Sequence, residues 1–358
     1  MPTRRTHFPP FVFATIAAAA VLACIGLTQS DDPAVAEPPS APPVASAPAP
    51  AQSRPAVDAP GDFDGKRAFG HLEALCNLGP RPSGSAGMRE QQKLIIEHMQ
   101  SLGLEVQRQT FQTARDRRTG RPLPMTNLIV ELNPAATERI LLCAHYDTRP
   151  FPDRDPNRRL RSRGKFLGAN DGASGTAALM ELAEHLRGVG GNRGVDLVFF
   201  DGEEYVFSEF GTYFLGSTHF ANQYADHPPT HRYVAAVLLD MIADKSLTIK
   251  FDGFSNRWSD SRPIVNEIWQ TARDLGVWEF MRSEWPTAVR DDHLALHERG
   301  GIPAVDIIDF AYPDPQNSYW HTTADAPENC SAESLGKVGR VVLAWVRGRL
   351  NAPAEATP

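Results

Sequence analysis

Asp201, Glu203 and Glu204 fall within four positions at the end of an apolar run, VDLVFFDGEEY (195–205). Carboxylates are costly to bury unless a cation or a proton compensates them. Similar residues follow the other apolar runs. LLCAHYD ends in His145 and Asp147, GANDGASG carries Asp171, and AAVLLDM ends near Asp240. AVRDDH brings Asp291, Asp292 and His293, and AVDIIDFAYPDPQNSYWHTTAD brings Trp320 and His321. Singly, each has an ordinary reading as a strand-end histidine, a solvated acidic turn or a packed tryptophan. Together, at successive strand ends, they describe a site, because ligands of open α/β sheets bind beyond the carboxyl ends of the strands. Imidazole with carboxylate oxygen is a zinc-compatible donor set, and catalytic zinc keeps one position open for water or substrate. In such a site Glu204 is held by the metal, and Glu203 beside it stays free to move protons.

The elements that must position these residues alternate between two periods. GMREQQKLIIEHMQSLG (87–103), GASGTAALMELAEHLRG (172–188), SRPIVNEIWQTARDLG (261–276) and SAESLGKVGRVVLAWVRGRL (331–350) have helical spacing. Ser261 and Ser331 are expected to cap the last two. LEVQRQTF, TNLIVELN, RILLCAHYD, VDLVFFDG, RYVAAVLLDM and IPAVDIIDF read as strands, with SLTIKFDGF between the last two. Strands alternating with helices predict a single α/β/α layered domain over residues 63–352, around a mixed, largely parallel sheet. Residues 148–167 (basic and Pro-containing) and 205–215 (aromatic) lack periodicity, and long loops in compact domains are usually functional.

The 358-residue chain has a formal net charge of −7, which argues against a nucleic-acid partner. Residues 1–30 differ from the rest: Arg4 and Arg5 precede FVFATIAAAAVLACIGL (11–27), short for a spanning helix and typical of a signal-peptide core. A cleaved signal, a lipoprotein signal with Cys24 in VLAC, and an uncleaved anchor tethering the chain to a membrane all remain open. Each implies export, to a periplasmic, membrane-anchored or extracellular location. Residues 31–62 are rich in Pro and Ala and read as a disordered linker. Cys76, Cys143 and Cys330 are widely spaced and imply no disulfide framework.

The succession AHYDT, GANDGASG, FFDGEE, LLDMI, DDHLALHERGGIPAV and WHTTAD, across residues 66–350, resembles the zinc aminopeptidase and glutaminyl cyclase superfamily. Aminopeptidase-like members imply two zinc ions, held by His145, Asp171, Glu204, Asp240 and His321, with Glu203 activating water. Animal-type glutaminyl cyclases imply one zinc, held by Asp171, Glu204 and His321, with Glu203, Asp240 and Asp291 handling protons. Three features are similar to the cyclases: Trp320 before His321, Asp291 opening DDH, and the long span from Glu204 to Gly216. That span is expected to lend Phe207 or Phe210 to a pocket walled by Trp320. Asp306 departs from the cyclase pattern, which has histidine there. The resemblance therefore implies a cyclotransferase acting on peptide or protein N-termini, with aminopeptidase as the alternative. A binding domain with a degenerate site is a third reading, countered by the presence of Glu203 and every ligand type.

Overall fold

A computed structural model of the chain describes residues 61–116, 120–188, 190–207 and 211–350. The segments read above as signal or anchor, the linker up to residue 60, and Phe210 lie outside the described residues. No helix among the described residues is long and apolar enough to cross a membrane.

The helices are α1 Gly65–Asn77, α2 Ala86–Ser101, α3 Ala173–Leu186, α4 Leu215–Asp226, α5 Gly253–Arg257, α6 Arg262–Asp274, α7 Asp292–Gly300 and α8 Ala332–Leu350. The strands are β1 Gln107–Arg115, β2 Pro122–Leu132, β3 Glu138–His145, β4 Gly194–Phe200, β5 Arg232–Asp240, β6 Ile249–Phe251, β7 Phe280–Glu284 and β8 Ala304–Ile308. Six strands form one sheet in the order β1-β2-β4-β3-β5-β8. The β4/β3, β3/β5 and β5/β8 pairs are parallel, and β1/β2 and β2/β4 are antiparallel. The run SLTIKFDGF contributes β6, which pairs with β7 outside the main sheet.

Side chains alternate across a strand, and β3 shows why the domain has three layers. Ile140, Leu142 and Ala144 join the larger core with residues of α1, α3 and α8. Leu141 and Cys143 point into a second core with Phe220 of α4 and Leu296 of α7. Both faces of β3 and β4 are therefore buried, which accounts for their largely apolar runs; the one charge in β4, Asp196, is paired with Arg139 of β3. Helix α3 lies close on the sheet because Gly175 permits it: a Cβ there would stand 2.0 Å from the Leu239 carbonyl oxygen. The three cysteines are free and buried.

The cap expectation holds at Ser331, whose hydroxyl accepts from the backbone N–H of Glu333 and Ser334 at 3.1 and 3.3 Å. It fails at Ser261, which makes no side-chain cap bond. Its hydroxyl accepts instead from Ala304 N at 3.0 Å, and Ser255 Oγ accepts from Asp306 N at 3.1 Å. Two serines thus satisfy donors of the edge strand β8, and burial of that edge outcompetes the local cap.

Candidate active site

The expected residues gather past the carboxyl edge of the parallel strands. His145 closes β3, Glu203 and Glu204 follow β4, and Asp240 closes β5. Asp171 lies just before α3, Asp291 caps α7 by accepting from Asp292 N, and His321 belongs to the loop after β8. Asp171, Glu203, Glu204, Asp240, Asp291, Trp320 and His321 all line one cavity of about 710 Å³.

Two donor clusters share Asp171. In one, Asp171, Glu204 and His321 present ligand atoms within 4.8 Å of one another; in the other, His145, Asp171 and Asp240 do the same. The first has the chemistry of an open metal site. His321 Nε2 lies 2.8 Å from Glu204 Oε1 and 3.5 Å from Asp171 Oδ2. It nevertheless makes no hydrogen bond, and neither does Asp171 Oδ2, although both are buried. Buried polar atoms without partners are rare and call for an occupant. In the second cluster His145 Nε2 already hydrogen-bonds Asp240 Oδ1 at 3.3 Å, while its Nδ1 has no hydrogen-bond partner. The residues present therefore fit a divalent metal, and the mixed imidazole–carboxylate set suits zinc.

Electrostatics separate the two adjacent glutamates. Burial pushes Glu203 well above the usual carboxylate range, against the pull of His145 and with the help of Glu204 and Asp291. For Glu204 burial acts the same way but is outweighed by His321 and Arg149, which hold it at about 2. Burial also raises Asp291, reinforced by Asp240 and Asp292. Burial opposes protonation of His145, yet the carboxylates of Asp147, Asp171 and Asp240 around its ring raise it well above its ordinary value. One carboxyl that readily keeps a proton thus sits beside one that does not, the pattern that separates acid–base groups from charged ligands.

Trp320 lines the cavity, its ring 3.8 Å from that of His321 and 5.1 Å from that of Phe310, another lining residue. Phe207 is not placed as expected. Val206 N donates to Glu204 O, Val206 is buried, and the half-buried Phe207 ring packs on Tyr205 and Phe151, outside the cavity lining. Tyr213 and Phe214, further along the same loop, supply aromatic lining instead. His293 also stands behind the cavity, with Nε2 3.1 Å from Asp252 Oδ2 and Nδ1 3.8 Å from Asp306 Oδ2. Asp306 is fully buried and its carboxyl is raised, first by burial and then by Asp291.

Other residues hold the site in place; of these the sequence reading names Asp147 and Asp201 without a role, and misses Arg149 and Asp325. Asp147 accepts from the backbone N–H of Glu203 and Glu204 at 3.0 and 3.1 Å. Asp325, the last residue of WHTTAD, accepts from Asn170 N and Asp171 N at 2.7 and 3.2 Å. Arg149 donates through its backbone N to Glu204 Oε2 and through Nη1 to Oε1, at 3.1 and 2.9 Å. Asp201 is structural: Ser83 Oγ and Thr126 N donate to it at 2.6 and 2.8 Å. The only sequence signal for these was their adjacency to the motifs. His321 itself adopts a left-handed backbone, φ 57°, a conformation that costs about 1–3 kcal/mol and is commonly kept where a site requires it.

A largely parallel sheet with histidines and carboxylates converging beyond its carboxyl edge defines an α/β enzyme with a candidate metal centre. The chain belongs to peptidase family M28, whose model matches residues 127–346. It is similar to the glutaminyl-peptide cyclotransferase of Bos taurus, 28% identical over 300 residues, spanning 74% of this chain and 77% of that protein. Among solved structures, Fimbriiglobus ruber glutaminyl cyclase is 39% identical with a TM-score of 0.73, covering 80% of this chain and 95% of that one. A Zn-dependent exopeptidase from Parabacteroides distasonis is 31% identical with a TM-score of 0.73, covering 80% and 99%.

Proposed function

We propose that this chain is an exported, zinc-assisted glutaminyl-peptide cyclotransferase that converts N-terminal glutamine to pyroglutamate and releases ammonia. The observation that carries this reading is the unequal state of the two donor clusters. Asp240 is engaged by His145, whereas His321 Nε2 and Asp171 Oδ2 lie open beside Glu204. One ion, at Asp171, Glu204 and His321, leaves Glu203, Asp240 and Asp291 for protons. The similarity to glutaminyl cyclases supports the same choice.

Cyclisation joins the α-amine of glutamine to its own side-chain amide carbon and breaks the bond to the amide nitrogen. The chemistry that zinc supplies when bound is Lewis-acid polarisation of the amide oxygen. Glu203 takes a proton from the attacking amine and returns it to the departing nitrogen, acting as base and then acid. Asp291 and Asp240, lining the same cavity, hold the neighbouring proton positions. Trp320 and Phe310 wall the cavity against the aliphatic stem and exclude water. Nucleophile and electrophile belong to one residue, so proximity contributes much of the rate.

Mass spectrometry of two peptides tests the proposal. A Gln-Phe peptide should lose ammonia, and a Leu-Phe peptide should remain intact. The second cluster, His145, Asp171 and Asp240, favours a two-zinc aminopeptidase as the other reading. That enzyme would release free leucine, and such release without pyroglutamate would replace the first reading with the second. Export rests on the apolar run at 11–27, and recovery of an unprocessed soluble cytoplasmic protein on fractionation would refute it.

A further inference from the structure

The loop at 148–167 contains seven cationic residues and two acids, in a chain whose net charge is −7. It is a built structure, not a loose run. Asp155 is buried, and its Oδ2 accepts from Thr323 N and Thr323 Oγ1 at 3.0 and 2.6 Å. Arg161 Nε donates back to Asp155 O at 2.7 Å, and turns at Leu160, Arg163 and Gly164 close the tip. Both feet of the loop rest on His321. Arg154 N donates to His321 O at 3.1 Å on one side, and the Phe166 ring meets the His321 ring at 6.2 Å on the other. The Arg154 guanidinium lies 4.5 Å over Trp320, itself a wall of the cavity.

Between those feet Arg158, Arg159, Arg163 and Lys165 are exposed and held in no ion pair among the described residues. Arg158 is three residues beyond the anchored Asp155, so its backbone lies within about 11 Å of that anchor. Arg290, also exposed, lines the cavity. An acidic interior is thus fringed by cations close to the cavity's Trp320–His321 wall.

We infer that this loop recognises acidic side chains downstream of the substrate's N-terminal glutamine, an assignment that rests on the cyclotransferase reading above. A peptide with its first residue against Trp320 would carry its following residues past Arg154, which lies over that ring, and so toward the other cations of the loop. Carboxylates there would be attracted within the ~8–10 Å reach of exposed charges at physiological salt. The same cations would also suit an anionic bilayer, but a bilayer seated on the loop would lie across the cavity it flanks.

The test compares Gln-Phe-Gly-Asp-Glu-Asp, Gln-Phe-Gly-Lys-Lys-Lys and Gln-Phe amide on the whole protein. It also compares wild type with a variant carrying Arg158→Ser, Arg159→Ser, Arg163→Ser and Lys165→Ser. Steering by a charged cleft raises association rates by roughly 10- to 1,000-fold. The wild type should therefore favour the acidic over the basic peptide by about tenfold or more in kcat/KM at low salt. The preference should collapse at about 0.5 M salt, where screening is nearly complete. The variant should lose it through KM, with kcat and Gln-Phe amide turnover unchanged. Turnover of all three peptides without charge preference, or a variant that keeps the preference, overturns the loop assignment alone. Loss of binding to phosphatidylglycerol vesicles in the variant, with peptide preference intact, also overturns it in favour of a membrane role. Absence of turnover on every peptide overturns the cyclotransferase reading and this inference with it.

Discussion

Glu203→Gln and Glu204→Gln are isosteric changes at adjacent positions, and the structure requires them to fail differently. Glu204 is the counter-charge of Arg149, whose side chain is 4% exposed. Removing one partner of a buried pair costs roughly 3–5 kcal/mol when the other is left alone. Arg149 also reaches Asp153 at 2.7 Å, but that carboxylate is 41% exposed and compensates only partly. A loss of about 2 kcal/mol is therefore expected for Glu204→Gln before metal is considered. At about 2–4 °C per kcal/mol this lowers Tm by about 4–8 °C. Glu203 is pushed toward the neutral acid by burial, so its amide should cost under about 1 kcal/mol in the same metal-free protein. Activity reverses the order. Glu203→Gln should lose about 10²–10⁴-fold in rate, or about 3–5 kcal/mol of transition-state stabilisation, while retaining zinc. Glu204→Gln should lose zinc. Thermal unfolding in chelator, equilibrium dialysis against zinc and steady-state kinetics read the three quantities separately. Equal zinc loss in both variants, or equal Tm loss in both, refutes the division of roles.

Trp320→Ala removes the ring packed on His321 and Phe310 and should raise KM for Gln-Phe by about tenfold, since burying a large apolar side chain is worth ~1.5–3 kcal/mol; an unchanged KM would remove Trp320 from the pocket wall. Gly175→Ala places a methyl against the Leu239 carbonyl and should destabilise by about 1–3 kcal/mol, seen as a lower denaturant midpoint. Burial raises Asp201, Asp292 and Asp325 to about 7. Between pH 4 and 7 the folded chain holds protons that the unfolded chain releases, so metal-free stability should fall as pH rises through that window; greater stability in chelator at pH 7.5 than at pH 5 would contradict this. Glu204, depressed to about 2, acts oppositely, and its contribution is lost as pH falls from the unfolded value of about 4.3 through about 2.

What was legible in the sequence follows from distance along the chain. The parallel strands declare themselves because burial on both faces leaves nearly continuous apolar runs, as in ILLCA and LVFF. The donors declare themselves because each lies just beyond such a run or in a short motif. Arg149 and Asp325 do not, and Asp147 declares its place but not its role, since each acts through a bond to a residue more than fifty positions away. Phe207 misleads because the aromatics that line the cavity, Tyr213 and Phe214, lie later in the same loop, and no periodicity records where a loop folds back. Ser261 misleads for a related reason: a cap is a local choice, and the β8 edge offers it a distant donor.

That closed edge also governs how a substrate can approach. Ile308, at the end of β8, borders the cavity, so the sheet margin nearest the chemistry is the one whose amides already serve Ser255 and Ser261. A visiting polypeptide finds little backbone there to zip against, and strand addition needs an unpaired margin. It must enter tip first, like a thread into a needle's eye, recognised by its free end and not by a long aligned register. Unrelated proteins can then share the enzyme if their first residues hang slack, while a terminus stitched into its own sheet or helix is out of reach until it frays.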